Sequence, residues 1–151
     1  MYRYKMEELK RWKDSPNRKP LIIRGARQVG KTWLMKEFGR ENYEKCAYIN
    51  FDDNTRMNNL FEEDFDIDRI IQGLKIESGV NIEPENTLII FDEIQETPKA
   101  LKALKYFYEN AREYHIVSAG SLLGVAIHEG TSFPVGKVDF MDLTPLSFFE
   151  F

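Results

Sequence analysis

The chain has 151 residues, 42% hydrophobic and 30% charged, with a net charge of −4. That is the size and composition of one globular domain able to bury a core, and it excludes a disordered chain. No apolar run approaches the roughly 20 residues of a membrane span, and the polar start Met-Tyr-Arg-Tyr-Lys-Met-Glu-Glu does not read as a signal peptide, so a cytoplasmic protein with no membrane partner is expected.

The single cysteine, Cys46, excludes an internal disulfide and offers no paired metal site. At the head of an apolar run it reads as a small buried filler. Charge is unevenly spread: residues 1–40 carry 12 Lys/Arg against 4 Asp/Glu, and residues 41–151 carry 9 against 21. Lys10, Arg11, Lys13, Arg18 and Lys19 read as a solvated helix face and loop, with contact to nucleic acid or an acidic partner as the other reading. The acidic remainder argues against broad nucleic-acid binding by this domain.

Taken in order, residues 3–13 have helical spacing, with Tyr2, Met6 and Leu9 on one face and Trp12 beside it. The cluster Asp14-Ser15-Pro16-Asn17 ends that helix. Residues 21–24 form a first strand, Leu-Ile-Ile-Arg. A helix from Lys31 to about Phe38 follows, closed by Gly39. Residues 46–51 are a second strand, and Asp52-Asp53-Asn54-Thr55 caps a short helix ending near Phe61. Ile67, Ile70, Ile71 and Leu74 lie on one helix face, with Gly79 as its stop. Residues 87–91 are a continuous apolar run, the pattern of a central parallel strand covered on both faces. Thr97-Pro98 starts a helix, with Thr97 as its cap. Residues 115–119 are a fourth strand, 121–128 a short helix, 130–136 a loop, and 137–143 a last strand ended by Thr144-Pro145.

Alternating strands and helices predict an α/β fold, a parallel sheet with helices on both faces. In such sheets ligands bind at the carboxyl ends of the strands. Three motifs converge there. Gly25-Ala26-Arg27-Gln28-Val29-Gly30-Lys31-Thr32 matches the phosphate-loop pattern G-x-x-x-x-G-K-[ST] between a strand and a helix. Its glycines let backbone N–H groups turn inward around phosphate oxygens, and the helix that follows adds its positive end. Lys31 would reach the β- and γ-phosphates, and the Thr32 hydroxyl would bind Mg²⁺. Asp92, at the tip of the apolar strand, would hold Mg²⁺ through water, and Glu93 would orient or deprotonate an attacking water. Ser118 and Ser121 flank the end of the neighbouring strand. Ser121 is preferred for a γ-phosphate or water contact because it is expected past the strand. A helix N-cap is its other reading.

Other polar groups read as structural. Asp52/Asp53 and Glu62/Glu63/Asp64 read as solvated faces. The two histidines, His115 and His128, have no partner at metal-ligand spacing and read as structural or surface residues.

On the phosphate-loop stretch, Phe91-Asp92-Glu93-Ile94-Gln95, Ser118-Ala119-Gly120-Ser121 and Pro145-Leu146-Ser147-Phe148-Phe149-Glu150-Phe151, the chain resembles the AAA+ P-loop ATPases. More closely, it is similar to prokaryotic ATP-binding proteins whose N-terminal AAA-type domain precedes a C-terminal domain of unknown function. The resemblance spans essentially the whole chain. It implies a three-layer P-loop NTPase core of the AAA+/ASCE type, with a central parallel five-stranded sheet in the order 5-1-4-3-2. Residues 1–19 would be a helix and lead-in, and residues 20–151 the nucleotide-binding core. It gives Lys31 and Thr32 the Walker A roles, Asp92 and Glu93 the Walker B roles, and Ser121 or Ser118 the polar sensor role.

Two departures matter. Relatives have Gly-Arg where this chain has Gly136-Lys137, and Lys137 lacks the planar fork of a finger arginine. The sequence stops at Phe151, before the helical lid and second sensor arginine usual in the family, as a cut domain would. The implied function is Mg²⁺-dependent ATP hydrolysis that drives movement of a partner domain or subunit. The alternative is an interaction module that binds ATP with little hydrolysis. Against a GTPase, the sequence has no N-K-x-D base-reading motif, and against a small-molecule kinase, no acceptor site can be named.

Overall fold

The computed structural model describes residues 3–25, 30–121 and 136–143. In chain order the elements are α1 (Arg3–Asp14), β1 (Leu21–Gly25), α2 (Lys31–Asn42), β2 (Lys45–Asn50), α3 (Thr55–Glu63), α4 (Ile67–Ser78), β3 (Thr87–Asp92), a 3₁₀ turn (Ile94–Glu96), α5 (Pro98–Asn110), β4 (His115–Ser121) and β5 (Asp139–Asp142). The strands form one sheet in the order β2-β3-β4-β1-β5, the expected order read from the other edge. Every pairing is parallel.

Side-chain alternation divides the core between the two faces of the sheet. On one face, Leu21 and Ile23 of β1, Leu88 and Ile90 of β3 and Val117 and Ala119 of β4 pack with Met6, Leu9 and Trp12 of α1 and Leu34, Met35 and Phe38 of α2. On the other face, Ile22, Ile89, Phe91 and Ile116 pack with residues of α3, α4 and α5, among them Phe61, Ile70, Leu74, Leu101 and Phe107. All six residues of β3 are buried, as its apolar run requires. Each buried Phe or Leu contributes about 1.5–3 kcal/mol. An exposed pair such as Arg24–Asp142, at 2.9 Å, contributes at most about 1 kcal/mol, so burial and not surface charge holds the layers together.

Four elements differ from the sequence reading. α2 does not close at Gly39 but runs to Asn42. Gly39 is an interior contact: a Cβ there would lie 2.5 Å from Cys46 Sγ and 3.2 Å from Leu88 Cδ2. Its missing side chain lets α2 sit close on β2 and β3, so the glycine serves packing and does not terminate the helix. β4 runs through Gly120 to Ser121, because β1 extends to Gly25 and pairs with it that far. β5 is shorter than expected, starting at Asp139. Thr97 occupies the cap position of α5, but its side chain makes no capping bond. Its carbonyl takes the Ala100 N–H at 2.9 Å, while Pro98 has no N–H to offer.

Other expectations hold. Asn54 caps α3, its side chain accepting the Met57 N–H at 3.1 Å, and Gly79 ends α4. Cys46 is half-buried, and burial pushes its thiol up to about 11. Glu62 pairs with Lys99, and Glu63 and Asp64 with Arg69, as solvated ion pairs. The predicted 121–128 helix, His128 and most of the 130–136 loop lie outside the described residues, although Ser121 itself ends β4.

His115 is structural and buried at the amino end of β4. Its Nδ1 lies 2.7 Å from the Tyr43 hydroxyl, and its ring meets Trp12 and Tyr43 edge to face. Burial, with Arg18 and Lys13 nearby, depresses it to about 4.

Two measurements test this core. Gly39→Ala should lower the urea midpoint even though alanine favours a helix by about 1 kcal/mol, because overpacking costs about 1–3 kcal/mol. In a Cys46→Ala background the same change should cost less, since Sγ no longer occupies the space. Below the ordinary histidine value of about 6.5, the unfolded chain takes up a proton that folded His115 refuses until about pH 4. Stability from this residue is therefore lost as pH falls from about 6.5 to 4. Denaturation of His115→Phe across that window should show a shallower loss than wild type, and an unchanged slope would remove His115 from the effect.

Candidate functional site

β1 and β3 are not neighbours in the sheet, yet both end at its carboxyl edge, and α2 begins there. Gly25 closes β1. Gly30 precedes α2 at φ 87°, a left-handed conformation that a side chain would resist, so the chain turns sharply before Lys31. Lys31 is buried, and its Nζ donates to the Gly25 carbonyl at 2.7 Å. The expected loop residues Ala26, Arg27, Gln28 and Val29 lie outside the described residues.

The centre of the site is Asp92, which is 4% exposed. Its Oδ2 accepts the Thr32 hydroxyl at 2.6 Å and the Tyr48 hydroxyl at 2.7 Å. Its Oδ1 accepts the Glu93 backbone N–H at 3.0 Å. Three donors satisfy a carboxylate that burial would otherwise penalise. Thr32 and Asp92, 60 residues apart in sequence, meet directly. Burial and the hydrogen bond to Asp92 push the Tyr48 phenol up, so it stays protonated and donates.

Glu93 sits in the left-handed region at φ 56°. For a residue with a Cβ that costs about 1–3 kcal/mol and persists only where neighbours enforce it. Here the Asp92 carboxylate holds its N–H, and its carbonyl accepts the Glu96 N–H at 3.1 Å. The Glu93 side chain turns away from Asp92 and accepts Gln95 Nε2 at 2.8 Å. Gln95 is itself buried, with Oε1 lacking a hydrogen-bond partner among the described residues. That oxygen lies close over Gly120 of β4, where a Cβ would approach it to 2.6 Å.

The two serines occupy different positions. Ser118 lies within β4, fully buried, and its hydroxyl has no hydrogen-bond partner among the described residues. Ser121 is the last residue of β4, in register with Gly25, and not a loop residue beyond the strand. Lys137 precedes β5, which pairs in parallel with β1 from Leu21 onward, so it lies toward the opposite edge of the sheet. It pairs there with Glu109 at 3.3 Å.

Tyr48 and Gln95 were not singled out by the sequence reading. Tyr48 stands inside a strand, where an aromatic residue reads as core, and its link to Asp92 appears only once β2 is paired with β3. Gln95 stands in the quoted Phe-Asp-Glu-Ile-Gln stretch but carries no motif chemistry of its own. The assembled groups are of the kinds that can receive an anion and a cation. A lysine and the N-terminus of a helix stand beside a hydroxyl and a carboxylate in direct contact, with a second carboxylate one residue on.

The sequence model of a family described as "AAA domain" matches residues 17–151. No curated protein matches the chain. A solved structure of the Orc1 protein of Aeropyrum pernix, in complex with DNA, is similar in fold. The TM-score is 0.61 at 15% identity, over 96% of this chain and 44% of that one, so this chain spans less than half of that protein. At that identity the likeness speaks for the fold alone.

Proposed function

The chain belongs to the AAA domain family and has an AAA+ P-loop ATPase-like fold, and from that premise we propose that it binds and hydrolyses ATP with Mg²⁺, passing its nucleotide state to a partner domain or subunit. The observation that carries this reading is the contact of Thr32 with Asp92 beside Lys31, where the phosphate-loop helix meets the end of the apolar strand.

The residues present fit a Mg²⁺–nucleotide. The Thr32 hydroxyl spends its one proton on Asp92, which leaves its lone pairs for a cation. Both groups are the hard oxygen donors that magnesium takes. Thr32 would hold the ion directly and Asp92 through water. Bound with the nucleotide, Mg²⁺ supplies neutralisation of charge on the phosphate oxygens. Lys31 exchanges the Gly25 carbonyl for β- and γ-phosphate oxygens. Residues 25–32 are assigned as the phosphate-binding segment, and the first turn of α2 adds its positive end. Glu93 orients the attacking water and accepts its proton, while Gln95 fixes the direction of the Glu93 carboxylate. Ser121, at the end of the strand beside Gly25, is assigned the polar contact to the γ-phosphate or the water. The second reading, a module that holds ATP with little turnover, is favoured by one observation: Gln95 already occupies the Glu93 carboxylate.

Two experiments test the reading. Lys31→Ala should weaken ATP binding by roughly ten- to a hundredfold, the loss of one charge-assisted contact, and unchanged affinity by calorimetry would remove the phosphate loop from the account. Glu93→Gln should keep ATP affinity and lower phosphate release by about 10²–10⁴-fold. Equal turnover in mutant and wild type would take Glu93 out of the mechanism. ATP binding without turnover in wild type would support the holding module.

A further inference from the structure

We propose that Tyr48 is a positioning residue for Asp92, holding its carboxylate in the orientation that a bound Mg²⁺–nucleotide requires. The inference rests on the ATP reading above and adds to it a residue outside the two phosphate-site motifs.

Three donors reach Asp92. The Thr32 hydroxyl has a second task, since the same oxygen faces the cation. The Glu93 N–H belongs to a residue held in a strained conformation next to the reacting water. The Tyr48 hydroxyl, 2.7 Å from Oδ2, is shared only with the Asn50 side chain among the described residues and has no assigned contact to ligand. It is the one donor of the three that can stay in place while the others adjust.

Its placement is rigid. β2 pairs in parallel with β3 so that Tyr48 lies opposite Ile90 and Asn50 opposite Asp92. Tyr48 therefore shares a sheet face with Asp92 from one strand over and two residues back, and the length of a phenol spans that offset. The ring packs against the core under α2. The Lys36 ammonium lies 4.1 Å from the ring centroid. Thr32 and Lys36 are one helical turn apart on the same side of α2. α2 thus reaches Asp92 twice, directly through Thr32 and again through Lys36 and the Tyr48 ring. Without the phenol oxygen, Oδ2 keeps only Thr32, and the carboxylate loses the donor that sets its rotation. Partners that orient a metal-binding carboxylate are worth about 10- to 100-fold in metal affinity.

The test is calorimetry with the non-hydrolysable analogue AMP-PNP, in MgCl₂ and in EDTA. Tyr48→Phe keeps the ring, its packing and the Lys36 contact, and its melting curve reports the fold. Wild type should bind more tightly with Mg²⁺ than without. In Tyr48→Phe the EDTA affinity should match wild type, while the gain from Mg²⁺ falls about tenfold. In an Asp92→Asn background, Tyr48→Phe should change that gain no further. An unchanged gain in the single mutant, an equal loss in both buffers, or an additive double mutant would each overturn the proposal while leaving ATP binding intact. Wild type that binds no nucleotide in either buffer would overturn the proposed function and this inference together.

Discussion

A carboxylate ends a strand that is buried along its whole length, and the site is built around satisfying it. β3 is covered on both faces, and Asp92 is its last residue. Desolvating a carboxylate costs several kcal/mol after relaxation, while one hydrogen bond to a charged group returns about 1.5–3 kcal/mol. One donor is not enough. Asp92 takes three, from the first turn of α2, from β2 and from its own following residue. The carboxylate therefore ties together a helix and two strands, and each donor's element must be held by something else.

Apolar packing does that holding. α2 is set by Leu34, Met35 and Phe38 and by the close approach that Gly39 permits over Cys46 and Leu88. β2 is set by its ladder with β3 and by Ala47 and Ile49 in the opposite core. The turn after β3 is set by buried Ile94 and by the Gln95 amide against Gly120. The strain at Glu93 is small beside several buried side chains of about 1.5–3 kcal/mol each, which is why it can persist. Polar geometry at the edge rests on apolar geometry beneath it.

The parts legible in the sequence were those with strong local signals. Continuous apolar runs located β1, β3 and the start of β4, and strand–helix alternation made the sheet parallel. The phosphate-loop spacing placed Lys31 and Thr32, and the strand-tip acid placed Asp92. What local reasoning misread depended on neighbours far along the chain. Gly39 looks like a helix stop until Cys46 is set against it. Ser121 looks like a loop residue until β1 extends to Gly25 and pairs with it. Tyr48 looks like core until register brings its hydroxyl to Asp92. Gln95 has no signal until β4 sets Gly120 beneath its amide. Tertiary pairing carried that information, and no window of local sequence holds it.

The two edges of the sheet treat charge in opposite ways. At the amino edge His115 is buried with one ring nitrogen on Tyr43 and the other unpartnered among the described residues, and nearby Arg18 and Lys13 add to the cost of charging it. That edge keeps a neutral ring. At the carboxyl edge a charged aspartate is buried just as deeply but is surrounded by donors, and the positive end of α2 stands beside it. The difference follows from chain direction. In a parallel α/β unit every strand delivers its end, and the following helix its N-terminus, to the same edge. Negative charge is stabilised where N–H groups collect, so an acid at a strand tip and an anionic ligand can share that edge with a lysine and a cation between them. The opposite edge receives the C-terminal ends of those helices, and the buried ring there stays neutral.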